Sequence, residues 1–217
     1  APLAAAALLS VATPRPGPAQ PVSVPGTSDP WLAGMPAGST ASGGDVAPAQ
    51  SPVLFGGFAI TPGQALGFRA VGSVTNGPGL VFVGPDGDLS QITAHLAGAE
   101  NGISNVTMPL NALLGVFLGP AQPSLTPAPG ALDFSTAASR NYLSLAPGLK
   151  QVFFIGDGLT GGGAAQQVVV PAGATRLFLG TMDGFEWSNN LGEFRVTVAV
   201  VPEPATGALA GLGLAGA

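Results

Sequence analysis

The segment 181–192 places several oxygen donors close together along the chain. Asp183 supplies a carboxylate, and the adjacent residues Asn189 and Asn190 supply two side-chain amides. Calcium binds about six to eight oxygens, which come from carboxylates, amide carbonyls and backbone carbonyls, and a loop that returns on itself can supply roughly half of them. The spacing therefore allows a calcium site. The same residue types also form ordinary polar turns by bonding to their own backbone, and this alternative stays open.

Strands on both sides of this segment would hold it in place. Residues 175–180 and 193–201 are rich in Val, Leu, Phe and Thr, which favour extended backbone. Further strands are predicted at 53–60, 65–74, 80–83, 113–118, 151–155 and 167–170. Turns rich in Gly and Pro separate these segments, and only 137–145 has the character of a short helix. Their spacing predicts an all-β sandwich or barrel.

The composition restricts the classes of function. The chain has six basic and eleven acidic residues, and the basic ones are scattered singly, so nucleic acid is not an expected partner. The absence of cysteine excludes zinc–thiolate sites and cysteine nucleophiles. A single histidine, His95, excludes a multi-histidine metal site. His95 has no catalytic partner by motif, and we expect it to be a surface or capped side chain.

Two other patterns are predicted to be structural. Segment 156–161 matches the dinucleotide-binding fingerprint G-x-G-x-x-G, but it leads into another strand and not into a helix, which predicts a flexible hairpin loop. Asp86 and Asp88 lack the spacing of an EF-hand loop and indicate a plain turn. No nucleophile elbow and no convincing carboxylate pair is visible in the sequence. The chain is therefore not predicted to be an enzyme.

Residues 1–21 have the composition of a signal-peptide remnant joined to a Pro-rich linker. The apolar run 3–9 is typical of a secretory signal whose basic start is missing, and the prolines after it end any helix. Residues 22–201 then form one domain by length. The chain contains 34 Gly and 22 Pro, but its hydrophobic fraction of 46% argues against disorder and for short strands joined by turns.

The C-terminal segment 202–217 begins with a short motif that precedes an apolar run. The motif and the residue before it are Val201, Pro202, Glu203 and Pro204. This arrangement resembles the PEP-CTERM sorting signal of Gram-negative bacteria, in a truncated form because only 13 residues follow Pro204. The resemblance implies recognition by an exosortase and a transient association with the inner membrane. It also implies export, with a final location at the cell-envelope surface or outside the cell.

Three stretches of the body share a second pattern. They are the x-Gly-Pro turn within 72–78, the Gly-Pro-x-Gly-Asp sequence of 84–88, and the Asp-loop-Asn-Asn-x-Gly sequence of 183–192. Together they resemble the PA-IL-type bacterial lectins, which bind galactose through calcium. The resemblance implies a single jelly-roll-like, galactose-binding-like β-sandwich with flexible terminal segments. The chain departs from the family in its shorter Asp-to-Asn loop and in the segment 120–165, which has no counterpart there.

The lectin resemblance also implies a set of calcium and sugar ligands. The implied calcium ligands are the side chains of Asp183, Asn189 and Asn190, the carbonyl of Asn76, and a carbonyl near Glu186 or Trp187. The same loop would contact a bound sugar through Asp183, Glu186, Trp187 and Asn189. The side chain of Trp187 either stacks against a sugar ring or packs inside the domain, and the sequence leaves both alternatives open.

Two functions are consistent with these observations. The first is an exported, calcium-dependent carbohydrate-binding module whose partner is an extracellular polysaccharide or another glycan. The second is a structural protein of the exopolysaccharide matrix that has the same fold and no specific ligand. The position of Asn76 separates them in part, because the first function requires Asn76 to lie beside Asp183 and Asn190.

Overall fold

The computed structural model describes residues 18–41, 47–48 and 51–202. The apolar run predicted to be a signal-peptide remnant lies outside the described residues, as do Glu203 and Pro204 of the predicted sorting signal. Val201 and Pro202 are described, and they follow the last strand without regular secondary structure. Within the described part of the chain, no helix has the length and hydrophobicity needed to cross a membrane.

The described residues contain twelve strands and one short helix. In chain order these elements are β1 (Ala19–Pro25), β2 (Val53–Leu54), β3 (Ala65–Thr75), β4 (Asp88–Ala94), β5 (Val106–Leu110), β6 (Leu113–Leu118), β7 (Leu132–Asp133), α1 (Ala137–Arg140), β8 (Ser144–Leu145), β9 (Val152–Phe154), β10 (Gln167–Val169), β11 (Arg176–Thr181) and β12 (Leu191–Val200). The segment 137–145, predicted to be a short helix, is thus α-helical only over its first four residues.

The strands form three sheets. Their orders are β1-β12-β3-β10-β8, β2-β11-β6-β9 and β4-β5-β7. All strand pairs are antiparallel except β10 with β8 and β5 with β7. Buried side chains from all three sheets belong to one hydrophobic cluster, so the sheets enclose a common core. The all-β sandwich predicted from the sequence is confirmed, and its jelly-roll connectivity stays a prediction.

Hydrophobic patterning explains the two strands that matter most for the core. All six residues of β6 are buried, as its continuous apolar run predicts for a strand covered on both faces. β3 alternates, because Leu66 and Phe68 are buried and Arg69 on the opposite face is exposed. β3 pairs with β12 over ten consecutive residue pairs, which makes this ladder the longest in the molecule's described part.

Several strand predictions need correction. The strand predicted at 53–60 stops at Leu54, because Gly56 and Gly57 interrupt it. Segment 80–83 is an exposed loop in which only Val83 forms an isolated bridge, to Val74. β1 begins at Ala19, so the sheet includes the last three residues assigned to the linker. Its prolines are tolerated because β1 is an edge strand.

Three connections matter for the candidate site. The β11–β12 connection covers residues 182–190, the β3–β4 connection covers 76–87, and a two-residue turn at 111–112 joins β5 to β6. The β3–β12 ladder ends where Leu191 pairs with Thr75. The first two connections therefore leave the sheet at the same end of that ladder.

Candidate metal centre

Asn76 and Asn190 emerge side by side from the end of the β3–β12 ladder. Thr75 and Leu191 form the last antiparallel pair, and Asn76 and Asn190 are the next residues on each strand. The β5–β6 turn joins them, because the Nδ2 group of Asn111 donates to Oδ1 of Asn76 over 3.2 Å. The backbone N–H of Asn111 also donates to the Met182 carbonyl, at 2.7 Å, one residue before Asp183. These contacts bring Asn76, Asn111 and the 182–190 loop together.

Asp183 lies at the start of this loop with its side chain buried. Its Oδ1 atom accepts a hydrogen bond from the backbone N–H of Gly184, with an N–O distance of 2.6 Å. The backbone of Gly184 in turn accepts a bond from Leu96, which fixes the loop against the end of β4. The carboxylate is thus held inside the loop and does not project into solvent.

The orientation of the Asn190 amide is set by its nitrogen. Nδ2 donates to the Gly26 carbonyl over 3.1 Å, and the hydroxyl of Thr181 donates to the same carbonyl at 2.7 Å. The amide oxygen of Asn190 therefore faces away from Gly26. It is buried and has no hydrogen-bond partner among the described residues.

Three buried amide oxygens in this region have no hydrogen-bond partner among the described residues. The Oδ1 atoms of Asn111, Asn189 and Asn190 are each inaccessible to solvent and without a hydrogen-bond partner in the described part of the chain. Leaving such an acceptor buried and unsatisfied costs about 1–3 kcal/mol. A cation is one ligand that would satisfy several amide oxygens at once. The donor set, with neutral amides and a carboxylate, suits a hard cation such as calcium and not a thiolate- or imidazole-preferring metal.

The backbone carbonyls of Glu186 and Trp187 already take part in a tight turn. Residues Trp187–Asn189 form one turn of 3₁₀ helix, in which the Glu186 carbonyl accepts from Asn189 at 3.3 Å and the Trp187 carbonyl accepts from Asn190 at 3.1 Å. A carbonyl oxygen has a second lone pair, so both retain the capacity to bind a cation. The carbonyl ligand that the resemblance implies at Glu186 or Trp187 stays a prediction.

The side chain of Trp187 is completely buried. Its ring lies edge-on to Trp31, with centroids 5.6 Å apart, and its Nε1–H donates to the Thr181 carbonyl at 3.0 Å. The indole has no exposed face that a sugar ring could cover. Of the two alternatives for this side chain, the structure shows packing. Trp187 anchors the centre of the loop in the core and in this way fixes the positions of Asp183 and Asn190.

His95 belongs to the same buried aromatic cluster and is not a surface residue. Its ring stacks on Trp31 with centroids 4.0 Å apart and lies 5.7 Å from the ring of Trp187. Nδ1 lies 2.9 Å from the Gly98 carbonyl, which caps it, and Nε2 lies 3.6 Å from a carboxylate oxygen of Glu100. His95 therefore packs against both tryptophans in the core and in this way supports the loop that contains Trp187.

A cavity of about 250 Å³ opens beside the candidate centre. Its lining consists of Asn76, Leu80, Val81, Val83, Asp88, Gln91 and Asn111. The Asp88 carboxylate accepts hydrogen bonds from the hydroxyl and the backbone N–H of Ser90 and from Nε2 of Gln91. The bond from the Ser90 hydroxyl is the main reason that the pKa of Asp88 lies below its usual range. Asp88 therefore presents a charged carboxylate to the cavity at neutral pH.

Asn111 was not predicted from the sequence, whereas six site residues were: Asn76, Asp183, Glu186, Trp187, Asn189 and Asn190. Asn111 has a left-handed backbone, with φ of 66°, and in sequence it is an ordinary asparagine in a two-residue turn between strands. Its distance from Asp183 along the chain gives no sign that the two are neighbours. Only the contact of the β5–β6 turn with the 182–190 loop, in which the Asn111 backbone N–H donates to the Met182 carbonyl, shows this.

Among the described residues, no group of three or more His, Cys, Asp or Glu side chains is placed to hold a metal ion. The candidate centre is of another kind, because amide and backbone oxygens accompany its carboxylate. Comparisons with protein-family models, with curated proteins and with solved structures each give no match. We therefore infer a function from the geometry of these side chains and from the resemblances in the sequence.

Proposed function

We propose that this protein is an exported carbohydrate-binding module in which calcium orders the 182–190 loop and takes part in holding a glycan. The observation that carries the proposal is a set of three buried amide oxygens, on Asn111, Asn189 and Asn190, that have no hydrogen-bond partner among the described residues. Asn189 and Asn190 belong to the same loop as the Asp183 carboxylate, and Asn111 is bonded to that loop at Met182. A folded chain without a ligand would bear the cost of all three.

Calcium would be held by Asp183, Asn189 and Asn190, with carbonyls of Asn76 and of Glu186 or Trp187. We add the side-chain oxygen of Asn111 as a further donor, because it is buried and has no hydrogen-bond partner among the described residues. When bound, the ion would supply open coordination positions that sugar hydroxyls can occupy. The chain's own residues position the donors: Trp187 fixes the loop from the core side, and Asn111 holds the side chain of Asn76. The single carboxylate predicts weak affinity, with a Kd of roughly 10⁻⁴–10⁻³ M, as in extracellular calcium modules.

A glycan array tests the proposal. The protein is applied in about 5 mM calcium, above the expected Kd, and in parallel with excess chelator. We expect bound glycans in calcium only, and no binding by Asp183→Ala. Asp133→Ala is the matched control, because Asp133 is an exposed carboxylate on β7 whose Oδ1 accepts from the Ser135 backbone.

Two results would contradict the proposed function. Glycan binding that persists in chelator would show that calcium plays no part in it. An array without any retained glycan, in a protein that still binds calcium, would make the ion structural and would favour the second function, a structural protein of the exopolysaccharide matrix.

We also propose that the chain is sorted to the cell-envelope surface or the extracellular matrix through an exosortase, on the basis of Val201, Pro202, Glu203 and Pro204. The test is to replace Pro202 and Pro204 by alanine in the exporting host and to measure the surface-exposed fraction. We expect that fraction to fall. An unchanged fraction would overturn the sorting proposal and leave the calcium proposal intact.

A further inference from the structure

A second cavity, of about 130 Å³, opens between the 84–88 turn, α1 and the 156–161 loop. Among the described residues it shares no lining side chain with the cavity beside the candidate metal centre. Six of its eight lining residues belong to segment 120–165. That segment has no counterpart in the lectins that the sequence resembles, so the lectin resemblance assigns no role to this cavity.

A carboxylate and a guanidinium, those of Asp86 and Arg140, line this cavity without forming an ion pair with each other. Oδ1 of Asp86 accepts from the backbone N–H of Asp157 at 3.0 Å, and Nη1 of Arg140 donates to the Phe134 carbonyl at 2.7 Å. In the described part of the chain the two charged groups make no other hydrogen bonds. Each therefore keeps atoms that a ligand can bind.

The Asp86 carboxylate is held close to an apolar ring. Gly156 has a left-handed backbone, with φ of 60°, and a Cβ atom at this position would collide with Oδ1 of Asp86 and with the ring of Phe154. Glycine is the residue that allows this close approach. Burial is the main cause that raises the pKa of Asp86, and the positive charge of Arg140 acts against it. A cationic group bound beside Asp86 would offset the unfavourable burial of its charge.

Asn141 adds a hydrogen-bond donor next to Arg140. It follows the last residue of α1, and its Oδ1 accepts from the backbone N–H of Gly161 at 2.7 Å. This bond orients the amide and leaves its Nδ2 group to donate to a ligand. The apolar part of the wall comes from Leu89, Phe154 and Leu159. The cavity thus combines one carboxylate, two donors and an apolar wall.

We propose that this cavity binds a small zwitterionic amino acid, such as alanine or serine. Asp86 would bind the ammonium group, and Arg140 and Asn141 would bind the carboxylate, whose geometry matches that of a guanidinium. A cavity of about 150 Å³ holds a ligand of about six non-hydrogen atoms, such as benzene. A volume of about 130 Å³ therefore suits a small amino acid and is too small to enclose a hexose.

Calorimetric titration of the intact chain with L-alanine tests this inference. The titrations are done in chelator, because none of the implied calcium ligands lines this cavity. We expect a Kd of about 1 mM or lower, which is within the affinity that a ligand of this size can reach. Propionate lacks the ammonium group and ethylamine lacks the carboxylate. Each should bind at least about tenfold more weakly than alanine, since each loses one charge-assisted contact.

Two cavity variants and two matched controls locate the binding. Asp86→Asn and Arg140→Gln each remove one charge from the cavity and should weaken alanine binding about tenfold or more. Asp133→Asn and Arg195→Gln make the same changes at exposed positions on β7 and β12 and should leave the affinity unchanged. Asp86 and Arg140 are both partly exposed, so neither cavity variant is expected to unfold the domain.

Each outcome decides the inference. A preference for alanine over both analogues that the cavity variants lose and the controls retain supports it. Absence of binding up to about 10 mM overturns it, as does equal affinity for alanine and either analogue. Undiminished binding in both cavity variants, or equal weakening in the controls, also overturns it, because the amino acid is then held elsewhere or by net charge. All these results leave the calcium proposal standing, since calcium is absent from the titrations.

Discussion

Two loops of this molecule have similar compositions but differ in whether their polar side chains have hydrogen-bond partners. Residues 156–165 and residues 182–190 both follow a buried strand, both contain Gly and Asp, and both match a motif in sequence. In residues 156–165 the polar groups bond to one another: Oδ1 of Asp157 accepts from Leu159 at 2.8 Å, and Oγ1 of Thr160 accepts from Ala164 at 3.1 Å. No buried side-chain oxygen in this fully described loop lacks a partner.

The 182–190 loop keeps its amide oxygens out of such bonds. The side-chain nitrogen of Asn190 donates to the Gly26 carbonyl, and the backbone N–H of Asn189 donates to the Glu186 carbonyl. The side-chain oxygens of both asparagines are buried and have no partner within the described residues. The difference shows what separates a turn from a candidate site. In an ordinary turn the polar groups bond to one another, whereas in a ligand site some of them bond only to the ligand. Without the ligand these groups lower the free energy of unfolding, and ligand binding raises it again.

The two loops also differ in how they are fixed to the domain. The 182–190 loop inserts Trp187 into the core, whereas residue Leu159 of the other loop is only half-buried. Trp187→Ala should lower the free energy of unfolding by about 3–5 kcal/mol, because it removes a fully buried indole and leaves a cavity. Denaturant unfolding measures this loss.

Leu159→Ala is the comparison variant, and its loss should be clearly smaller. Trp187→Phe should recover much of the packing but not the hydrogen bond to Thr181. Equal losses for Trp187→Ala and Leu159→Ala would mean that the core does not anchor the 182–190 loop.

The second difference between the two loops concerns their side-chain oxygens, and we expect it to change stability by an intermediate amount. Asn189→Ala removes an amide whose buried oxygen has no hydrogen-bond partner in the described part of the chain, so in chelator the stability of the variant should be unchanged or up to about 1 kcal/mol higher. The same variant should lose most of the rise in Tm that calcium produces. Thermal unfolding with and without calcium measures both quantities.

Asp157→Ala should behave in the opposite way. It removes the hydrogen bond to Leu159 and should cost about 1 kcal/mol in either condition, with the calcium-dependent rise in Tm intact. A destabilised Asn189→Ala variant that keeps its full calcium response would remove the distinction between the two loops.

The smallest contrast concerns pH and Asp86, whose Oδ1 atom accepts from the backbone of Asp157 at 3.0 Å. Burial holds the pKa of Asp86 above its usual range; the bond from Asp157 opposes this shift, the charge of Asp157 adds to it, and Arg140 opposes it. The folded state therefore binds more protons than the unfolded state above the ordinary value of 3.8, and stability falls as pH rises through the folded pKa.

Asp86→Asn should remove that decline. The difference in Tm between this variant and the unaltered protein should therefore be slightly more positive at neutral pH than at acid pH. Asp88→Asn should show the opposite sign, because hydrogen bonds lower the pKa of Asp88 and the stability they give is lost as pH falls. Unfolding curves across the acid range, with all three proteins in parallel, check the pair. Identical pH profiles for the two variants would contradict the opposite directions of the pKa shifts of Asp86 and Asp88.

The sequence predicted the buried strands well and the polar or Pro-containing strands poorly. β6 and β3 were predictable because their side chains are continuously apolar or strictly alternating. β1, β4 and β5 were missed, since β1 and β5 contain prolines and β4 is largely polar and exposed. Segment 80–83 was predicted to be a strand because its apolar residues imply burial, but its side chains face the cavity and solvent.

The candidate site was predictable only within one loop. Asp183, Asn189 and Asn190 are neighbours in sequence, and Asn76 was reached through the lectin resemblance alone. Asn111 was not predictable, because its contact with Met182 depends on how the β5–β6 turn meets the β11–β12 loop. The burial of Trp187 was equally undetermined, since an aromatic residue in a polar loop serves for packing or for ligand contact.

Calorimetric titration of the intact chain with calcium tests the central claim most directly. We expect one calcium per chain with a Kd of roughly 10⁻⁴–10⁻³ M. The binding heat should disappear in Asp183→Ala, and the titration of Asp133→Ala should match that of the unaltered protein. Absence of heat up to several times that concentration, or equal binding by Asp183→Ala, would contradict the assignment of these oxygens to a calcium site.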